Sequence, residues 1–208
     1  MLAKLPLGIQ EQIRDGISVL KRGGLVVFPT DTVYGLGACF NSLPAVERIY
    51  QLKQRPRSVA LPLLLADTAQ ISEVAQVVPP VALLLARSFL PGALTMVLPR
   101  SKSVPDIITG GGETVAVRIP AHPVAIALIK GVGMPIVGTS ANVSGRPSAL
   151  TAGEVFLQFS DRIDLVIDGG RCPGGIESTI VDVTGEVPRL LRPGAISREE
   201  LERVCHII

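Results

Sequence analysis

Tryptophan is absent from this 208-residue chain, and there are only two histidines, two tyrosines and three cysteines. Each scarcity excludes something. Two isolated histidines, His122 and His206, leave no basis for a Ser-His-Asp relay or a histidine-rich zinc site. His122 stands between Ala121 and Pro123, where a helix is expected to begin, and reads as structural. Cys39, Cys172 and Cys205 are odd in number and widely spaced. They fit neither a zinc spacing nor a disulfide framework, so a reduced, cytoplasmic interior is the expected compartment. The greasiest stretch, residues 77–98, is broken by Pro79, Pro80, Arg87, Pro91 and Gly92; no uninterrupted 18-residue apolar run argues for a membrane span. The opening residues 1–6 hold no long apolar segment of the kind that directs secretion. The patterns GxxxxGK(S/T), HExxH, paired CxxC and GxSxG are also missing.

What remains is a globular composition, 47% apolar and 18% charged. A net charge of +2 is too mild to mark a nucleic-acid binder on charge alone, although a local basic face could still matter. The length suits one sizeable core, and a single domain over residues 9–200 is expected. Ile9, Ile13, Ile17 and Leu20 recur at helical spacing, with Gly23-Gly24 to end the helix. A strand is expected at 25–28 and a second helix over 44–54, capped by Asn41 or Ser42. Further strands are expected at 61–65, 94–98, 114–119, 136–137, 165–167, 179–183 and 189–191. Helices are expected at 68–76, 81–89, 123–130 and 151–159, and Ser197 with Glu200 forms a capping-box signal for a last one. Strands and helices mix without a clean βαβα alternation, so the predicted class is α/β with a mixed sheet.

Three segments are rich in donors and cations. In residues 135–148 an apolar run ends in Ser140, Asn142, Ser144 and Ser148, with Gly138 and Gly145 on either side and Arg146 beyond. Small hydroxyl and amide groups between glycines let donors approach a ligand closely. Lys53 and Arg55 fall at a helix end: they either complement the helix dipole or form a phosphate clamp. Ser178 follows Gly174-Gly175, in an ordinary turn or a ligand-facing one, and Arg192 precedes Pro193-Gly194. Arg118 interrupts an apolar strand and shares a face with Thr114 and Ala116. It is either a solvated edge-strand charge or a carboxylate-binding group in a cleft. Together these segments suggest an anionic, phosphorylated ligand.

Taken in order, the chain resembles the YrdC-like family, the threonylcarbamoyl-AMP synthases (TsaC), in their short form. The resemblance rests on Pro29-Thr30-Asp31-Thr32-Val33-Tyr34-Gly35, Lys53-Gln54-Arg55-Pro56, Val117-Arg118-Ile119-Pro120, Ser140-Ala141-Asn142-Val143-Ser144-Gly145, Glu177-Ser178-Thr179 and Arg192-Pro193-Gly194. It implies a twisted mixed sheet flanked by helices with a concave ligand-binding face, and condensation of L-threonine, bicarbonate and ATP to threonylcarbamoyl-AMP and pyrophosphate, with Mg²⁺ carried by phosphates and water. The product would serve N6-threonylcarbamoyladenosine formation at tRNA position 37 through downstream transferase proteins. By the same resemblance, Lys53, Arg55, Thr114, Ser140, Asn142, Ser148 and Arg192 would hold ATP, with Lys53 and Arg55 catalytic. Thr32, Arg118 and Ser178 would hold threonine. Ala66 stands about where many members carry a histidine that contacts threonine. Two other readings stay open: a tRNA- or double-stranded-RNA-binding module of the same fold, weakly served by two tyrosines and no tryptophan, and a paralogue acting on a different carbamoyl-type substrate.

Overall fold

The computed structural model describes residue 3 and residues 5–208; the reading of the chain's opening falls largely on Met1, Leu2 and Lys4, which lie outside them. Nine strands form one mixed sheet: β1 (Val26–Phe28), β2 (Gly35–Cys39), β3 (Leu63–Leu64), β4 (Leu94–Pro99), β5 (Thr114–Arg118), β6 (Ile136–Ser140), β7 (Leu165–Val166), β8 (Thr179–Asp182) and β9 (Arg189–Arg192). Their spatial order is β7-β1-β2-β6-β3-β5-β4-β8-β9. The helices are α1 (Leu7–Lys21), α2 (Leu43–Lys53), α3 (Ile71–Val74), α4 (Pro80–Phe89), α5 (Asp106–Thr109), α6 (Pro123–Val132), α7 (Ala152–Phe159) and α8 (Arg198–Glu202).

Strand alternation divides the core between the two faces of the sheet. Val27, Leu36, Leu63, Met96, Val117 and Val137 point to one face, where they meet apolar residues of α2, α4, α5, α7 and α8. Val26, Phe28, Leu64 and Ile136 point to the other and pack with Ile13 and Leu20 of α1 and Leu128 and Ile129 of α6. That second helical layer covers the β7–β1–β2–β6 half of its face. Over β3, β5, β4 and β8 the same face stays open and forms the wall of a cavity.

Most expected elements form. α1 ends as its glycines predict: Gly23 takes φ +80°, and the Gly23 and Gly24 N–H groups donate back to Leu20 and Val19 carbonyls. The capping box at Ser197 and Glu200 is present. Other expectations need correction. Ser42 occupies the N-cap of α2 but makes no side-chain capping bond, and neither does Asn41 take that position. The helix expected at 68–76 is a 3₁₀ turn at Thr68–Gln70 followed by the single turn α3. The 61–65 strand pairs only at Leu63–Leu64. Two elements were not anticipated: the short α5, and β2, whose Gly-Leu-Gly-Ala-Cys sequence hides its strand character.

Candidate functional site

Residues from seven parts of the chain line a cavity of about 470 Å³, within the range of small-molecule sites. Four cations face it, Lys53, Arg55, Arg118 and Arg192, against a single carboxylate, Glu177. Such an excess of positive charge in a partly dry cleft favours an anion.

Lys53 closes α2 and is almost fully buried. Its ammonium donates to the Ser140 carbonyl (2.5 Å), the Asn142 carbonyl (2.7 Å) and Asn142 Oδ1 (3.1 Å). Ser140 Oγ donates to the same Asn142 Oδ1 at 2.6 Å, and Asn142 Nδ2 donates to the Arg146 carbonyl at 2.6 Å. Two motifs 87 residues apart therefore become one knot, which fixes the loop after β6. Burial, then the neighbouring Arg55 charge, pulls the Lys53 pKa down to about 8. Arg55 is held by the carbonyls of Val59 (3.2 Å) and Ala60 (2.8 Å), and burial lowers its pKa as well.

Arg118 overturns the edge-strand alternative. β5 lies inside the sheet between β3 and β4, so the side chain is buried and must be paired. Its Nη2 donates to Asp31 Oδ1 at 2.7 Å, Nη1 to Thr32 Oγ1 at 2.9 Å and Nε to the Gly92 carbonyl at 3.0 Å. Thr30 and Thr32 hydroxyls lie 3.0 Å apart, and those of Thr95 and Ser178 2.8 Å apart. Together they give this end of the cavity a hydroxyl-rich floor. Arg192, closing β9, donates through Nη1 to Glu177 Oε2 at 2.5 Å and through Nη2 to the Ser178 carbonyl at 2.7 Å. Its Nε is buried without a partner.

The sequence pattern of the Sua5/YciO/YrdC family, described as "Telomere recombination", matches residues 18–194. The chain belongs to this family. Among curated relatives, "Threonylcarbamoyl-AMP synthase" of Pyrococcus abyssi is 46% identical, over 93% of this chain and 57% of its own length. The protein of the same name from Bacillus subtilis is 42% identical, over 93% and 56%. This chain thus spans somewhat over half the length of these relatives. Two solved structures share its fold: P. abyssi Sua5 complexed with L-threonine (TM-score 0.91, 45% identity, 94% of this chain and 58% of that one) and E. coli YciO (TM-score 0.84, 28% identity, 92% and 93%).

Of the residues that the YrdC-like resemblance pointed to, Thr32, Lys53, Arg55, Arg118, Ser140, Asn142, Ser178 and Arg192 all line this Sua5/YciO/YrdC cavity. Ser148 sits behind it, donating to Glu177 Oε1 at 2.6 Å. Thr114 is exposed at the outer end of β5, opposite Pro99, and does not reach the cavity lining. It shares the face of Ala116 and Arg118, as alternation required, but lies too far along the strand. His122 caps α6, its Nδ1 accepting from the Val124 N–H at 3.3 Å. Ala66 is buried in the α1–α6 core, and its N–H donates to Gln70 Oε1 at 2.7 Å. Asp31 and Glu177, each inside a quoted motif yet given no role, are the carboxylates that hold Arg118 and Arg192. Their signal was the obligation of a half-buried arginine to find a partner.

Among the described residues no helix is long and apolar enough to cross a membrane. Nor do these residues contain a cluster of three or more His, Cys, Asp or Glu side chains able to hold a metal.

Proposed function

We propose that this chain, as a single domain over residues 9–200, is an L-threonylcarbamoyladenylate synthase working in the cytoplasm. It would condense L-threonine, bicarbonate and ATP to threonylcarbamoyl-AMP and pyrophosphate, for tRNA N6-threonylcarbamoyladenosine formation by downstream transferases. The observation that carries this reading is the cavity itself, where four cations face one carboxylate beside a hydroxyl-rich floor. The names of the relatives and the L-threonine bound in the P. abyssi Sua5 structure point the same way.

The division of labour is the one the family resemblance implies. Arg55 and Arg192 offset the charge of the triphosphate, while Lys53 keeps Ser140 and Asn142 in place and adds its charge from behind the loop. Thr32, Arg118 and Ser178 receive threonine alongside, with the carboxylate on Arg118. The threonine amine and bicarbonate join with loss of water to give a carbamate. A carbamate oxygen then attacks the α-phosphorus and pyrophosphate departs. No protein nucleophile is required, so positioning and electrostatic stabilisation supply the catalysis. Mg²⁺ would arrive on the nucleotide: the lining offers only Glu177 as a carboxylate, and Ser148 and Arg192 already engage it, so the residues present do not form a metal site of their own.

Ala66 favours one second reading. Buried and apolar, it offers no polar contact to an amino acid, which suits a paralogue that adenylates a different carbamoylated substrate. Pyrophosphate release by the purified protein decides between them. Release that needs ATP, bicarbonate and threonine together supports the synthase, release driven by another amino acid supports the paralogue, and no release with any amino acid sinks both.

A further inference from the structure

Glu177 is the lone anion among the cavity's charges, and its placement is specific. Oε1 accepts from the Ser148 hydroxyl at 2.6 Å, and Oε2 accepts from Arg192 Nη1 at 2.5 Å. Burial alone would raise its pKa, but the Ser148 hydroxyl and the Arg192 charge outweigh burial and hold it below the usual carboxylate range. The carboxylate is therefore ionised at neutral pH. A carboxylate and a phosphate oxygen ask for the same partners, namely N–H or O–H donors in a positive field. Arg192 is one of the donors assigned above to the nucleotide's phosphates, and its Nε is buried with no partner at all, while Ser148 holds the carboxylate from behind the cavity. The Glu177 backbone is anchored, its carbonyl accepting from the Ala195 N–H at 2.9 Å, so releasing Arg192 needs only a side-chain rotation.

We propose that Glu177 is a built-in phosphate surrogate: its carboxylate, backed by Ser148, engages Arg192, yields it to an incoming polyphosphate, and takes it back as pyrophosphate leaves. This inference rests on the phosphate-site reading above and deepens it. An anion entering the cavity must displace charge-assisted hydrogen bonds that already exist. Inorganic phosphate or pyrophosphate gains little from that exchange, whereas a nucleotide brings further contacts from its sugar and base. Glu177 is thus a specificity-determining residue, which weakens the hold on the small anions, including the product, more than on ATP.

Calorimetric titration with pyrophosphate, at fixed pH and ionic strength, tests this on the unaltered protein and on Glu177→Gln. The glutamine keeps the shape and can still accept from Ser148, but its charge is gone. The expected result is pyrophosphate binding tighter by about tenfold or more in the variant, the equivalent of one charge-assisted contact no longer contested. General damage to the site would weaken binding instead, so equal or weaker binding by a folded variant overturns the proposal. If Glu177→Gln does not fold, a structure of the unaltered protein with pyrophosphate replaces it. A broken Glu177–Arg192 pair is expected there, and an intact pair beside bound pyrophosphate overturns the surrogate role. Pyrophosphate that binds neither the unaltered protein nor the folded variant even at millimolar concentration removes the phosphate-site reading and this proposal with it.

Discussion

Arg118 shows how one buried charge organises its surroundings. Each of its three guanidinium nitrogens donates once, to Gly92, Thr32 and Asp31, which leaves two of its five N–H groups for a ligand, and Asp31 also accepts from the Ala121 N–H at 3.0 Å. The planar fork is therefore locked in orientation before any ligand arrives, which lowers the ordering cost of binding. Lysine keeps the charge but cannot reproduce three directed bonds at fixed angles. In Arg118→Lys the KM for threonine is expected to rise about 10- to 100-fold, as suits the loss of one charge-assisted hydrogen bond of about 1.5–3 kcal/mol. The KM for ATP should stay within about twofold, because Arg118 bonds Asp31, Thr32 and Gly92 and none of the nucleotide's assigned contacts. Steady-state kinetics with each substrate varied in turn measures both, and equal rises in the two would show that Arg118 supports the cavity as a whole and not threonine alone.

At the scale of elements, the site depends on how closely backbones approach. The turn after β9 presses on the segment before β8: a Cβ at Gly194 would lie 2.5 Å from the Glu177 carbonyl oxygen and 2.6 Å from both the Ser178 carbonyl carbon and the Thr179 nitrogen. These are backbone atoms tied into the sheet, with Thr179 N–H donating to the Ala93 carbonyl at 2.9 Å, so they cannot give way cheaply. Gly194→Ala is expected to destabilise the protein by about 1–3 kcal/mol, the usual cost of overpacking, and to lower pyrophosphate release at the same time by shifting Glu177 and Ser178. Urea denaturation and the release assay on one preparation check the pair. A variant with native stability and native activity would mean that β8 and β9 are free to separate. The knot of Lys53 with Ser140 and Asn142 is the parallel device between α2 and β6.

On the scale of the whole molecule, the sheet carries two cores of unequal extent. Helices cover one face widely, and on the other α1 and α6 stop short, leaving the open half over β3, β5, β4 and β8 as the cavity wall. Ligand binding therefore couples to the stability of the entire sheet, because lining residues come from β2, β3, β4, β5, β6, β8 and β9 as well as the loops. With ATP at 100 times its Kd, mass action adds about 2.7 kcal/mol of stability. For a chain of this size that corresponds to a rise in Tm of about 5–10 °C. Differential scanning calorimetry with and without ATP measures it, and an unchanged Tm at saturating ATP would place the nucleotide elsewhere.

The one-dimensional pattern determined the α/β class, the bounds of α1, α6 and α7 to within a few residues, the start of α8, and most of the polar residues that end up around one cavity. Those features follow from local rules, namely helical spacing, caps, glycine stops and the cost of placing charge in apolar runs. Only the tertiary structure decided the rest. β2 was illegible because two glycines dilute its apolar signal, and its burial comes from neighbours, not from its own side chains. The interior position of β5, which settled whether Arg118 met water or a partner, depends on strand order, and strand order is set by pairings between residues far apart in the chain. The roles of Asp31 and Glu177 were hidden for the same reason: a carboxylate acquires its meaning from the arginine that folding brings beside it. Asp31 is 87 residues from Arg118 and Glu177 15 from Arg192, and at neither separation does sequence spacing alone place a pair in contact.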